Sequence, residues 1–429
     1  MIFSLRNLKS QINRLYQNGF LYVIGSNTLS KVFTFIGNIF VVHFLTKETY
    51  GIYTYVNNLM GIFIIADGFG VKSGILQFCS ETRTEDEKKS YYNFGLKFGF
   101  LFNVLIFTIY LLFSIFAPLK IEGARPYLLI YSIYPLTYFF IQYFLSILRS
   151  KRQNKYYAYV ATLNSLLYAV GEIILTYYIG VAGIIYGIYL GCIAGGLLAL
   201  HLIRPETFKK AKSLDMVAKK TFLRFSGYSC LNTTLSNLLI LIDVFIIGQI
   251  NSNAEDLASY KVGITIPEAM IFLPSAVIMF AYSYFAEHNK DKKWFSENSK
   301  KLYLYSALLN GVISIILFSC SAPIIKLLYG EKYLSSVRVF RIMTVYYFVA
   351  STFRMNSSNL LASLRRVDIT LIVNIATGVL NIVLDILLVY RLGAQGAAWG
   401  TLIVSCLASV ALIFSLRKLM KKINGLDTY

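Results

Sequence analysis

Charge is scarce in this chain: Asp, Glu, Lys and Arg make up 14% of its 429 residues, against 56% hydrophobic types. A water-facing globular surface needs more polarity than that, so a soluble fold is excluded. Cysteine is sparse too, and Cys79, Cys192, Cys230, Cys320 and Cys406 stand singly. Their spacing suits neither a disulfide framework nor a metal site, and no metal or organic cofactor is expected. His43, His201 and His288 are isolated, with no carboxylate pair or nucleophile motif beside them. No catalytic constellation can be assembled from them, so an enzyme is not expected. Acidic residues number 21 against 41 basic ones, a formal charge of +20. With no nucleic-acid motif present, membrane orientation and anionic headgroups explain that excess best.

Long apolar runs are abundant. A hydrocarbon core of roughly 30 Å takes about twenty helical residues to cross. Windows between charge clusters predict helices over 20–44, 50–78, 92–117, 124–148, 157–179 and 181–203. A second set follows over 225–250, 257–285, 301–325, 338–363, 369–390 and 393–416. The expected fold is therefore all-α, a polytopic membrane protein of about twelve spans. Arg149, Lys151, Arg152 and Lys155, then Arg204 to Arg224, Lys290 to Lys301, Arg365 with Arg366, and Arg417 to Lys422 fall in alternate connections. The excess of cations assigns those connections, and both termini, to the cytoplasm of a bacterial inner membrane. Before the first span, Leu5, Leu8, Ile12 and Leu15 share a face away from Arg6, Lys9 and Arg14. Residues 1–19 read as an uncleaved helix lying in the interface.

The chain also repeats itself. Glu172, Gly180, Gly183 and Gly187 recur 213 residues later as Asp385, Gly393, Gly396 and Gly400, and Ser114, Ala117 and Pro118 recur as Ser319, Ala322 and Pro323. Leu148 and Arg149 pair in the same spirit with Leu364 and Arg365. Six spans per copy is an even number, so the expectation is two parallel lobes, 20–203 and 225–416. A basic cytoplasmic linker over 204–224 joins them, and a cytoplasmic tail fills 417–429. The glycines suit close helix packing.

Several ionisable residues fall inside these spans, among them Lys31, Asp67, Lys72, Lys97, Glu172, Asp243, Glu268, Arg354 and Asp385. A charge at the bilayer centre costs about 2.5 to 3.5 kcal/mol on insertion scales, so most must meet water or partners inside the fold. Lys31 lies about eleven residues into its span, roughly 16 Å deep at 1.5 Å per residue. Arg354 sits near the middle of its own. Lys72 and Lys97 lie nearer the cytoplasm, where snorkelling competes with a role in a cavity. A guanidinium at depth suits a phosphate or pyrophosphate. The carboxylates of Glu172, Asp243, Glu268, Asp385 and Asp67 balance cations or bind a coupling proton or sodium ion. Pro135, Pro267 and Pro274 fall within spans and permit bends. The 33 Tyr and 32 Phe populate interfacial belts or stack on sugar rings.

Four stretches carry a resemblance to a known family: IIADGFGVKSGILQF, FLSILRSKRQNKYYAYV, LILIDVFIIGQINSNAEDLASYKV and APIIKLLYGEKYLSSVRVFRIM. In order and spacing the whole length resembles the polysaccharide repeat-unit flippases, the O-antigen or capsule branch of the multidrug/oligosaccharidyl-lipid/polysaccharide exporter superfamily. The resemblance implies alternating access between two lobes. It also implies a cationic cavity that moves an undecaprenyl-pyrophosphate-linked oligosaccharide across the membrane for O-antigen or other surface polysaccharide. Membrane lipids, a polysaccharide polymerase and chain-length proteins are the implied partners, and nucleic acid is not. The cavity cations would be Lys31 and Arg354, with Lys72 and Lys97 further out. Ion coupling would fall to Asp243, or to Glu172 and Asp385. A cation-coupled multidrug exporter of the same architecture would favour an acidic cavity instead. A membrane glycosyl-transfer enzyme or polymerase would need a large outer loop, and none here exceeds about fifteen residues.

Overall fold

A computed structural model describes residues 20–81, 84–203, 205–209, 212–250, 253–289 and 291–424. The interfacial helix expected over 1–19, Arg204, Lys210 and Ala211 of the basic stretch, Lys290, and 425–429 of the tail lie outside the described residues. The chain is all-α, and no strand occurs among the described residues. It forms two compact units whose boundary falls between Leu241 and Ile242.

The first unit begins with α1 (Phe20–Phe44) and α2 (Lys47–Ile64), the latter started by Thr46 accepting from the Thr49 amide. A tight turn, Asp67–Gly70, separates α2 from α3 (Val71–Ser80). Next comes α4 (Glu85–Phe116), opened by a capping box between Thr84 and Glu87. A break at Ser132 and Ile133 divides α5 (Arg125–Tyr131) from α6 (Tyr134–Ser150), and Pro135 sits in the first turn of α6, where its missing amide costs nothing. The helices α7 (Asn154–Ile179) and α8 (Val181–Ile203) pack closely, with a Cβ built at Gly171 only 3.0 Å from the Gly187 Cα. A long helix, α9 (Met216–Ile250), leaves this unit and enters the second.

In the second unit α10 (Ala254–Met270) and α11 (Phe272–Glu287) meet at Ile271, between Pro267 and Pro274, so the bend follows the two prolines. Then come α12 (Lys292–Ser319), α13 (Ser321–Tyr329), α14 (Val337–Val349) and, after a π-helical turn at Ala350–Arg354, α15 (Met355–Ser363). The chain ends with α16 (Val367–Leu392) and α17 (Ala394–Asn424).

Nine helices among the described residues are long and apolar enough to cross a membrane. With α1, α9 and the interrupted pair α14–α15 they give the twelve expected spans. The span expected over 301–325 differs: α12 stops at Ser319 and a new helix starts at Ser321, because the Cys320 backbone leaves helical geometry.

Backbone geometry makes the repeat physical. Gly180 and Gly393 end α7 and α16 with φ/ψ of 62°/−138° and 59°/−141°, a region essentially closed to residues with a Cβ. The pairing of Leu148 and Arg149 with Leu364 and Arg365 is corrected. Arg152 and Arg365 both take left-handed φ, 56° and 60°, just past the ends of α6 and α15. They are 213 residues apart, the offset of the glycines. The Gln153 and Arg366 amides close the same turn, each donating five residues back, to the Leu148 and Leu361 carbonyls.

Candidate functional site

Lipid-facing rows come first, since they decide which buried-depth charges face inward. On α1 the exposed row is Leu29, Val32, Ile36, Phe40 and Phe44. Lys31 lies about half a turn from that row at 100° per residue, on the line of Asn38. On α16 the exposed row runs through Ile372, Ile375, Val379, Val383, Ile386 and Tyr390. Asn374 lies opposite it and accepts from the Arg354 guanidinium at 3.1 Å. Arg354 closes the π-helical turn, an irregularity that re-aims the side chains after it. Lys97 behaves differently. It continues the exposed row of Leu101, Leu105 and Leu112 on α4, the position of a lysine extending along its helix toward headgroups. It is not carried into the site.

The carboxylates sort into three places. In the second unit Asp243 and Asp385 come together, and this is the most elaborate polar cluster there. Asp243 Oδ2 accepts from the Tyr260 hydroxyl at 2.7 Å and the Thr401 hydroxyl at 2.9 Å. The Asn381 amide donates to Asp243 Oδ1 at 3.2 Å and to Asp385 Oδ2 at 2.6 Å, clasping both carboxyl groups. Asp385 is fully buried, and its Oδ1 has no partner among the described residues. Gly400 permits this, because a Cβ there would overlap Asp385 Oδ1. No described lysine or arginine pairs with either carboxyl. Two buried acids without a cation need a proton or a bound monovalent cation for balance. The carboxylate and hydroxyl oxygens of Asp243, Asp385, Tyr260 and Thr401 suit a proton or sodium, while Asn381 presents its amide nitrogen to both acids. Glu268, after Pro267, stays outside this hydrogen-bonded group.

In the first unit Glu172 is buried, and its Oε1 lies against Gly37 with no partner among the described residues. Asn38 donates to the Tyr50 hydroxyl at 3.1 Å. Asn38 precedes the buried Tyr55 by 17 residues, as Asp243 precedes Tyr260. The first half thus carries an amide where the second carries an acid, and the carboxyl pair is unique to the second half.

The third place joins Asp67 to Lys72 across a 3.5 Å ion pair. Asp67 also accepts from Asn103 at 2.7 Å, while Asn103 donates to the Pro135 carbonyl at 3.0 Å and accepts from the Gly68 amide. One asparagine therefore satisfies two helix breaks. The turn itself is strained: Gly68, Phe69 and Gly70 are all left-handed, with φ of 56°, 54° and 73°. Phe69 is held in place by its ring, which packs on Phe98 and Phe102.

Asn381, Thr401, Tyr260, Asn103 and Asn374 were not singled out from the sequence. Two of them left a trace there: Tyr260 stands near the end of the quoted stretch that contains Asp243, and Asn381 stands four residues before Asp385 on one helical face.

A polytopic helical membrane protein with buried charges at depth is defined by this fold and these clusters. The chain belongs to the Polysaccharide biosynthesis protein family, which matches residues 16–285. The MatE family matches residues 229–387. No curated protein matches by sequence. Among solved structures the fold is similar to an inward-facing multidrug resistance MATE family transporter of the MOP superfamily (TM-score 0.74, 16% identity, 92% of this chain and 96% of that one). It is similar also to the lipid II flippase MurJ in an inward closed conformation (TM-score 0.72, 17% identity, 94% and 90%). A third similar structure is a MOP superfamily transporter from Pyrococcus furiosus (TM-score 0.61, 15% identity, 96% and 96%).

Proposed function

We propose that the chain is a flippase of the bacterial inner membrane with cytoplasmic termini. It carries an undecaprenyl-pyrophosphate-linked oligosaccharide from the cytoplasmic to the outer leaflet by alternating access, for O-antigen or another surface polysaccharide. One observation supports the reading above all: within two predicted spans, Lys31 lies about half a turn from the exposed apolar row of α1, and Arg354 donates to Asn374, opposite the exposed row of α16. A cation kept there at such cost suits an anionic headgroup, and the guanidinium fork suits a pyrophosphate. Lys72 is the third cation of this set. The family match and the likeness to a lipid II flippase agree with it.

Coupling to an inward flow of sodium or protons is assigned to Asp243 and Asp385. Loading one cation neutralises part of the pair, and release lets the acids repel, a two-state element that biases the helices holding them. Asp385→Asn should abolish gradient dependence of transport into vesicles. Transport by that variant still driven by an imposed sodium or proton gradient would remove this assignment.

The test of the flippase reading is expression in a strain deleted for its own repeat-unit translocation. Wild-type chain should restore surface polymer, and Lys31→Ala with Arg354→Ala should not, although both variants remain inserted and abundant. Retained polymer would reject the cation assignment. A second reading, a cation-coupled multidrug exporter, is favoured by the acid pair and the MatE match. It requires drug resistance from the same chain in the absence of polymer restoration.

A further inference from the structure

We infer that Tyr138 and Tyr134, beside Lys72, form a sugar-binding subsite that takes the saccharide next to the pyrophosphate. This rests on the reading of the chain as a carrier of a pyrophosphate-linked saccharide, and it names the residues that tell sugar from bare lipid. The Lys72 ammonium lies 5.8 Å from the Tyr138 ring centre. From Tyr138 the ladder continues to Tyr134 at 5.2 Å and to Tyr131 at 4.9 Å. Tyr131 anchors the row: it is buried and its hydroxyl donates to Asn57 at 3.2 Å. Tyr134 and Tyr138 are only half-buried, and neither hydroxyl has a protein partner among the described residues or is sealed inside the fold. A tyrosine oxygen at membrane depth normally finds a partner, so two open ones are available to sugar hydroxyls.

The row is not a lipid face. None of the large apolar side chains of α6 is fully exposed; Tyr134, Tyr138 and Gln142 form a half-buried polar strip on one side of the helix, while Leu136 and Phe140 are half-buried on the other, the side suited to lipid. Tyr138 lies twelve residues from the cytoplasmic end of α6, about 18 Å deep at 1.5 Å per residue. Lys72 is poised for an anion. Its side chain is 37% exposed whereas that of its partner Asp67 is 4% exposed. A phosphate can therefore reach the cation but not the acid, and Asp67 keeps Asn103 when Lys72 turns away. Phosphate on Lys72 then sets the adjoining saccharide against the Tyr138 face, and C–H groups of the ring stack there as they do on aromatic platforms generally.

The experiment measures binding of two lipids to the purified full chain: undecaprenyl pyrophosphate, and the same lipid bearing one N-acetylglucosamine. Wild type is expected to hold the glycosylated lipid roughly tenfold more tightly, the scale of one stacked ring. Tyr138→Leu should erase that difference while leaving affinity for the bare lipid unchanged, Tyr134→Leu should reduce it, and Tyr138→Phe should keep most of it. A difference that survives in Tyr138→Leu, or that is missing in wild type while both lipids bind, overturns the subsite alone. Failure of wild type to bind either lipid overturns the flippase reading along with it.

Discussion

At the scale of single residues, the chemistry lies in which charges have partners and which do not. Arg354 donates to a neutral amide, Asn374, and so keeps its full charge for a ligand. Hydrogen bonds to charged groups contribute about 1.5–3 kcal/mol, so Arg354→Ala should weaken binding of an undecaprenyl-pyrophosphate lipid by roughly ten- to a hundredfold. Arg354→Lys should recover only part, since the ammonium offers no fork. Equal affinity in all three proteins, measured by lipid titration, would place the headgroup elsewhere. Charges such as Asp243, Arg354 and Asp385 were legible in the sequence, because an ionisable residue within an apolar run is visible without coordinates, although the half-buried Lys261 was passed over. The sequence did not expose their partners. Asn381, Thr401 and Tyr260 are unremarkable polar residues until folding brings them onto Asp243. It separated Lys97 from Lys31 by depth alone, not by the exposed row that Lys97 continues on α4.

At the scale of elements, the irregular turns carry the information. Three left-handed residues in the Asp67–Gly70 turn, the break before Pro135 and the π-helical turn at Ala350–Arg354 interrupt the spans that bear Lys72, Tyr138 and Arg354. A buried asparagine backs each lobe's irregularity: Asn103 at the Pro135 carbonyl and Asn310 at the Thr352 hydroxyl. The prolines made two of the bends legible in sequence, but nothing comparable marks the π-helical turn or a left-handed phenylalanine. The repeated glycines were legible as packing positions, and the coordinates make the reason specific. A Cβ at Gly183 would overlap the Leu175 backbone and one at Gly396 the Leu388 backbone. Backbone cannot step aside as a side chain can, so Gly183→Ala or Gly396→Ala should each destabilise by about 1–3 kcal/mol, read as a fall in melting temperature in detergent. The left-handed arginines act oppositely. Arg365→Gly should raise stability by about 1 kcal/mol through relief of backbone strain, whereas Arg365→Ala should give no such gain. The same melting measurement checks both.

At the scale of the whole molecule, composition and span counting were enough for the membrane class and the twelve-span plan, because the bilayer leaves few solutions for a chain this apolar. The repeat was legible as matching residues, although one pair was set three positions out of register. A helix end shifted by less than one turn looks alike in sequence, and only the φ of Arg152 and Arg365 fixes it. What duplication does not reveal is divergence between the copies. The second half keeps an acid pair, and the first has Asn38 and a solitary Glu172 in its place. Ion coupling is accordingly expected to fail on changes to Asp243 or Asp385 and to tolerate Asn38→Ala.

The most direct measurement is transbilayer movement of a fluorescent undecaprenyl-pyrophosphate-linked oligosaccharide in vesicles containing the purified chain, followed by quencher added outside. The wild-type protein should bring the inner-leaflet pool within reach of quencher, and the Lys31→Ala, Arg354→Ala double variant should leave it protected. An equally rapid loss of protection with that variant, or none with the wild-type chain, would contradict the proposal that Lys31 and Arg354 carry the lipid headgroup across.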